Sequence, residues 1–301
     1  MTDAAEARAA APAAPLAPGL YLVATPIGNL EDITLRALRV LRSCDRIACE
    51  DTRQTGKLLH HFGIDTPTVS YHLHNERGRA EDLTAQMLQG ARIAVVSDAG
   101  TPGIADPGEE IVRAAIAAGI AVYAIPGSNA AISALVASGL ATERFHFHGF
   151  LPSKPGERRT ALETVLADMR ATTDAATQIF YETPHRIVDT LADVAAVFGP
   201  AHRVALAREI TKLHEEFMRG TAAEVAATMA ARDSVRGEMV LMLAGDLAPV
   251  QMAATSVAAA VRALMQTENL DEKDALKRVA RERNMGKSEA YRELQRTRPK
   301  R

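Results

Sequence analysis

Short apolar runs alternate with stretches of helical spacing along most of the chain, and the alternation is regular enough to predict a fold class. Residues 19–24 (Gly-Leu-Tyr-Leu-Val-Ala) read as a buried strand, followed by the loop Thr25-Pro26-Ile27-Gly28-Asn29 and a helix over 33–43 that Asp32 or Asn29 would cap. Further strands are predicted at 46–50, 68–71, 91–96 and 121–125, with helices at 54–62, 79–89 and 109–119 between them. A small-residue helix follows to Ser138, capped by Ser128 or Asn129. Strand and helix in strict turn predict a mostly parallel, doubly wound sheet.

Beyond residue 140 the texture changes. Residues 145–150 (Phe-His-Phe-His-Gly-Phe) alternate like a strand, 152–159 form a polar, basic loop, and 178–182, 203–207 and 238–244 are apolar strands. After Pro249 the pattern is wholly helical, with a Gly-containing turn at 283–287 inside a helix-turn-helix outline. The organisation expected is a disordered Ala/Pro-rich tail at 1–18, an α/β domain at 19–129, a second α/β domain at 130–248, and a basic helical extension at 255–301.

Composition changes this picture in two places. A hydrophobic content of 47% without a bilayer-length apolar run predicts a soluble protein, and the tail lacks the basic start and unbroken apolar stretch of a signal peptide, so a cytoplasmic location is expected. The net charge of -2 excludes a uniformly basic nucleic-acid binder, but residues 271–301 carry 11 Lys/Arg against 6 Asp/Glu, a local +5 on a body of -7. Such a basic face suits a polyanionic partner. The only two cysteines, Cys44 and Cys49, suit a reducing compartment, and no metal-ligand set is expected around them.

The candidate chemistry gathers at strand ends. Ser97-Asp98-Ala99-Gly100-Thr101-Pro102-Gly103-Ile104-Ala105-Asp106-Pro107-Gly108 follows one strand and opens a helix, where open α/β sheets bind ligands. Its glycines lack dinucleotide-fingerprint spacing, and Gly286-Lys287-Ser288 lacks the first glycine and the preceding strand of a P-loop. The loops at 25–29 and 128–130 repeat the same small-residue construction, and Tyr181-Glu182-Thr183-Pro184-His185-Arg186 and Ala207-Arg208-Glu209-Ile210-Thr211-Lys212 add polar groups. Together they predict a cleft for a small organic ligand.

These stretches, with Glu50-Asp51-Thr52-Arg53, Pro126-Gly127-Ser128-Asn129-Ala130 and Gly149-Phe150-Leu151-Pro152, closely resemble the bacterial 16S rRNA 2'-O-ribose methyltransferases of the tetrapyrrole-methylase-like class. The resemblance spans roughly 19–246 in order, and the basic helical end resembles that family's C-terminal extension. It implies two α/β domains enclosing S-adenosylmethionine, a homodimer, no metal and no membrane association, and methyl transfer to the ribose 2'-hydroxyl of cytidine 1402 in the 16S rRNA of the 30S subunit. By motif, the donor pocket would use Pro26, Asp98, Ala99, Gly100, Gly103, Ile104, Ser128, Asn129, Tyr181 and Ala207.

A 2'-hydroxyl must lose its proton during attack, so a base or charge-stabilising group is expected nearby. Glu182 and His185 are the leading candidates, with Asp51, Glu209 and Lys212 behind them; Arg53, Lys154, Arg158, Arg159 and Arg186 are candidates for RNA phosphates. A tetrapyrrole-ring methyltransferase is the nearest alternative, although ring-modifying relatives typically carry a shorter Gly-Asp-Pro loop in place of 97–103. A noncatalytic RNA-binding protein with a degenerate cleft is another.

Overall fold

The computed structural model describes residues 15–72, 75–172, 175–247, 257–267, 270–282 and 285–296. Most of the expected N-terminal tail (1–14) and residues 255–256, 268–269, 283–284 and 297–301 of the expected extension lie outside them. The described residues form two compact units, 1–247 and 248–301.

The first unit contains two five-stranded sheets. In the first, β1 (Gly19–Val23), β2 (Arg46–Cys49), β3 (Thr68–Ser70), β4 (Arg92–Val96) and β5 (Val122–Ile125) lie in the order β3-β2-β4-β1-β5, every pair parallel. The connecting helices are α1 (Leu35–Ser43), α2 (Thr52–His61), α3 (Glu76–Leu88) and α4 (Glu109–Ala117). Leu20, Ile47, Ala94 and Val95 are fully buried because both faces are covered, which is why these strands read as continuous apolar runs. Cys44 and Cys49 are free thiols packed into one of the two cores flanking this sheet. The cap of α1 differs from expectation: Thr34 accepts from Ala37 N, whereas Asn29 caps a short 3-10 turn, Leu30–Asp32, ahead of it. Asp32 sits inside that turn, so its side chain is not at the cap position of α1.

Helix α5 (Ala130–Ser138), capped by the Asn129 side chain, leads to the second sheet. Its strands are β6 (Phe145–Phe150), β7 (Thr177–Glu182), β8 (Arg203–Arg208), β9 (Glu216–Thr221) and β10 (Met239–Leu243), ordered β6-β7-β10-β8-β9. Only β6 and β7 pair in parallel; β10 runs antiparallel to both β7 and β8, and β9 antiparallel to β8. The mostly parallel arrangement therefore holds for the first sheet alone. Helices α6 (Pro155–Ala171), α7 (Ile187–Phe198) and α8 (Ala222–Ala230) cover one face, and α5 packs on the other. The expected basic loop at 152–159 is half helix: Pro155 opens α6, its fixed φ suiting the first turn, where no N–H is needed.

The second unit comprises α9 (Val257–Thr267), α10 (Glu272–Glu282) and α11 (Lys287–Arg296), joined through Val257, Val261, Ala275, Val279 and Leu294. Asp271 Oδ1 accepts from Asp274 N and starts α10. No described helix is long and apolar enough to cross a membrane.

Candidate functional site

Three loops at the carboxyl ends of β1, β4 and β5 are stitched together mainly by backbone. Thr25 N donates to Gly100 O (2.9 Å), Gly100 N donates to Thr25 O (3.0 Å), and the Thr25 hydroxyl donates to Ser97 O (3.1 Å). The Thr101 hydroxyl donates to Ser128 O (3.1 Å) and receives a long bond from Asn129 Nδ2 (3.4 Å). Gly100 has φ +87°, and a Cβ there would press to 3.3 Å of Ile27 Cγ2, so both its conformation and its neighbours call for glycine. Farther along, the buried Glu76 carboxylate accepts from Gly108 N (2.9 Å) and from the Tyr71 hydroxyl (2.8 Å), fixing the start of α4.

These loops form one wall of a cavity of about 320 Å³, a volume suited to a cofactor-sized ligand. Asp98, Ala99, Gly100, Thr101, Ile104, Ala105 and Asp106 line that wall with Ile27. The opposite wall comes from the second sheet: Phe150, Tyr181, Glu182, Thr183, Pro184, Ile210, Lys212, Glu238, Met239 and Val240. Register explains its make-up. Antiparallel pairing sets Met239 against Glu182 and Val240 against Tyr181, so the start of β10 meets the end of β7. Parallel pairing sets Phe150 beside Tyr181, whose ring centroids are 5.5 Å apart.

Five of the ten expected donor-pocket residues line the cavity: Asp98, Ala99, Gly100, Ile104 and Tyr181. Pro26, Gly103, Ser128, Asn129 and Ala207 are not in the lining. Ser128 and Asn129 brace Thr101, and Ala207 is fully buried against Val240 on the neighbouring strand. Ile27, Phe150, Ile210, Glu238 and Val240 were not anticipated as site residues. Glu238 and Val240 belong to a strand start, which a rule about the ends of parallel strands does not flag; antiparallel topology brings it in.

The two leading candidates for proton transfer fare differently. Glu182 is 2% exposed, and its carboxylate is occupied: Oε1 accepts from Thr183 N (2.8 Å) and Arg186 Nε (2.8 Å), and Oε2 accepts from the Thr190 hydroxyl (2.8 Å). Glu182 lines the cavity, but these bonds pin the β7–α7 turn and favour its charged, structural role. His185 is exposed and is not among the cavity's lining residues. The carboxylate in the cavity with a displaced pKa is Asp106, which burial and the neighbouring Glu50 push up to about 6.

Lys212 is held at the cavity by two carboxylates. Its Nζ donates to Glu209 Oε1 (2.8 Å) and Glu238 Oε2 (2.9 Å). Burial works against its charge, but these bonds outweigh it and raise its pKa, while Lys212 lowers that of Glu209. Backbone strain collects around the same site: Ala105, Glu209 and Thr211 have φ of 61°, 52° and 69°. Non-glycine residues hold such angles only where the surroundings impose them.

The expected phosphate contacts divide sharply. Arg158 requires correction: it is 3% exposed, and its Nε donates to Asp193 Oδ2 (2.8 Å), tying α6 to α7 inside the core. A guanidinium so buried is paired internally and cannot reach a phosphate without unpacking the helix. Arg159 bonds the other Asp193 oxygen (2.9 Å) from a half-exposed position. Arg186 is committed to Glu182 and to Leu151 O. Arg53 and Lys154 are exposed, paired with Asp51 and Glu157 respectively. Among the described residues no His, Cys, Asp and Glu group is arranged to hold a metal.

The family model for tetrapyrrole (corrin/porphyrin) methylases matches residues 19–226. The chain is 47% identical over 285 residues to a ribosomal RNA small subunit methyltransferase I of Halalkalibacterium halodurans, covering 90% of this chain and 93% of the relative. It is 50% identical over 230 residues to the protein of that name from Escherichia coli O157:H7, covering 76% and 78%. Among solved structures, diphthine synthase superposes with a TM-score of 0.56 at 14% identity, over 76% of this chain and 91% of that one. Uroporphyrin-III-C-methyltransferase from Thermus thermophilus gives 0.51 at 21% identity, over 75% and 94%. At those identities the two structures speak for the fold.

Proposed function

The chain belongs to the tetrapyrrole methylase family and, within it, to the ribosomal RNA small subunit methyltransferase I group, and on that premise we propose that it transfers a methyl group from S-adenosylmethionine to the ribose 2'-hydroxyl of cytidine 1402 in 16S rRNA. The observation that carries the proposal is the two-walled cavity, one wall of stitched small-residue loops and the other of aromatic and charged side chains.

The lining fits the donor. Ile27, Ile104, Ile210 and Val240 offer apolar surface to a purine, and Tyr181 and Phe150 add aromatic faces. Peptide groups at Ala99 and Ala105 stand unshielded by long side chains, able to bond the polar edge of adenine and a carboxylate. Asp98 and Asp106 suit a ligand that is cationic at both sulfur and ammonium. Ser128 and Asn129 hold the lining residue Thr101, and Ala207 backs Val240 on the neighbouring strand. When bound, S-adenosylmethionine supplies a methyl group already activated by its sulfonium. The protein's task is to place the acceptor oxygen in line and to exclude water.

Glu182, in the cavity lining, and Arg186 behind it keep the β7–α7 turn in shape. We expect the exposed Arg53, Lys154 and Arg159 to exchange their carboxylate partners for RNA phosphates. We expect the protein to act as a homodimer in the cytoplasm, on the assembled 30S particle. Incubation with labelled S-adenosylmethionine and 30S particles, naked 16S rRNA or a uroporphyrinoid tests the reading. Label on 30S rRNA, mapped to the 2'-oxygen of cytidine 1402, is expected; label on the porphyrinoid alone would refute it.

A further inference from the structure

We propose that Lys212 is a catalytic residue that donates a hydrogen bond to the acceptor hydroxyl oxygen and orients it toward the methyl group; this rests on the methyl-transfer function proposed above. Lys212 lines the cavity on the wall opposite the Asp98 loop. Two of its three N–H donors are directed to Glu209 and Glu238, which leaves one without a partner among the described residues. The two carboxylates keep the ammonium charged, so Lys212 acts as a donor and not as a base.

Several features of the backbone hold this side chain in place. Glu209 and Thr211 sit at positive φ on either side of Ile210, turning the chain so that Ile210 and Lys212 both reach the cavity. Lys212 N also donates to Glu209 O (2.9 Å), closing the turn. A Cβ on Gly237 would collide with the Glu209 side chain, so glycine there lets Glu209 pack close while it accepts from Glu238 N (3.1 Å). From the other sheet, a Cβ on Gly28 would overlap the Lys212 stem. The ammonium is thus positioned by both halves of the unit before any ligand arrives. A donor fixed in advance can stabilise the negative character on the acceptor oxygen, without reorganisation, as that oxygen bonds the methyl carbon, the methyl–sulfur bond breaks and the hydroxyl proton passes to solvent water.

The test uses the full-length protein and 30S particles, with Lys212→Met and Lys212→Gln. The glutamine keeps an apolar stem beside Gly28 and an N–H donor between the carboxylates, guarding against loss of fold in the methionine variant. Calorimetry with S-adenosylmethionine, 30S binding and the single-turnover rate at saturating 30S are measured for each. Donor and 30S affinities within about threefold of the parent, with a rate lowered on the order of 100-fold, are expected. A rate within about threefold of the parent would overturn the assignment. So would a weakened 30S affinity with a normal saturated rate, which marks a phosphate contact, or a proportional loss of donor affinity, which marks a donor-binding or structural role. Failure of the parent enzyme to methylate 30S would instead remove the functional reading and this inference with it.

Discussion

The two walls of the cavity are built by opposite means. The wall from the first sheet is mainly backbone: Thr25, Gly100, Thr101 and Ser128 join three strand-end loops through peptide and hydroxyl bonds, and side chains stay small. The wall from the second sheet is held by charge: Glu182 to Arg186, Glu209 and Glu238 to Lys212, and nearby Glu216 to Arg208 and Arg232. A backbone wall gives a fixed shape with few titrating groups, suited to a ligand recognised by fit. A wall of ion pairs offers directional donors and acceptors, suited to steering a reacting oxygen. On the proposed reading, the difference makes donor binding and acceptor handling separable by mutation.

The sharpest break is expected at Glu182. Glu182→Ala strips a buried carboxylate from Arg186, Thr190 and Thr183 N, and should destabilise the protein by about 3 kcal/mol or more, read from denaturant unfolding. A change below ~1 kcal/mol would mean that the second wall does not depend on its charge pairs. Next comes Gly100→Ala, which forces a Cβ onto φ +87° and toward Ile27 at a cost of ~1–2 kcal/mol and should weaken S-adenosylmethionine at least about tenfold in calorimetry.

Asp98→Ala removes a cavity carboxylate that also accepts from Asp51 N (3.2 Å). We expect donor affinity to fall about tenfold, close to 1.4 kcal/mol, with little change in unfolding. Unaltered affinity would move the donor's cationic groups elsewhere. The smallest effect concerns pH. Burial raises the Asp106 pKa to about 6, so its carboxylate ionises as pH climbs through that value and then attracts a cationic donor. Donor affinity should rise a few-fold between about pH 5 and 7 and level off above, and Asp106→Asn should flatten the curve. The stability sign is opposite. The folded protein holds this proton to higher pH than the unfolded chain, so the group's stability contribution is complete in acid and is lost as pH rises toward 6.

Much of this was legible in the chain because its signals are local. Apolar runs between Gly-rich loops marked β1 to β5, and parallel topology guarantees that their ends share an edge, so the 97–108 loop could be placed at that edge, where it lines the cavity. The side-chain cap of α5 was also readable, since Asn129 needs only its own turn to act. Pairings across long separations were not. Arg158 looks like a surface arginine in a basic segment until α6 and α7 pack and bury it on Asp193, 35 residues away. Glu182 looks like a base until Arg186, Thr183 and Thr190 claim its oxygens.

By itself, then, the sequence determined the family, the alternation of strand and helix, and the small-residue loops whose backbone must approach a ligand. The alternation and the loops each depend on residue type and spacing over a dozen positions or fewer, and the family on several such local motifs in fixed order. The tertiary structure alone decided that the second sheet is mostly antiparallel, which carries the start of β10 to the cavity and sets Glu238 beside Lys212. It also decided which charges line the cavity and which are spent on the fold. A charged side chain's role is fixed by the partner it finds, and that partner is chosen by packing.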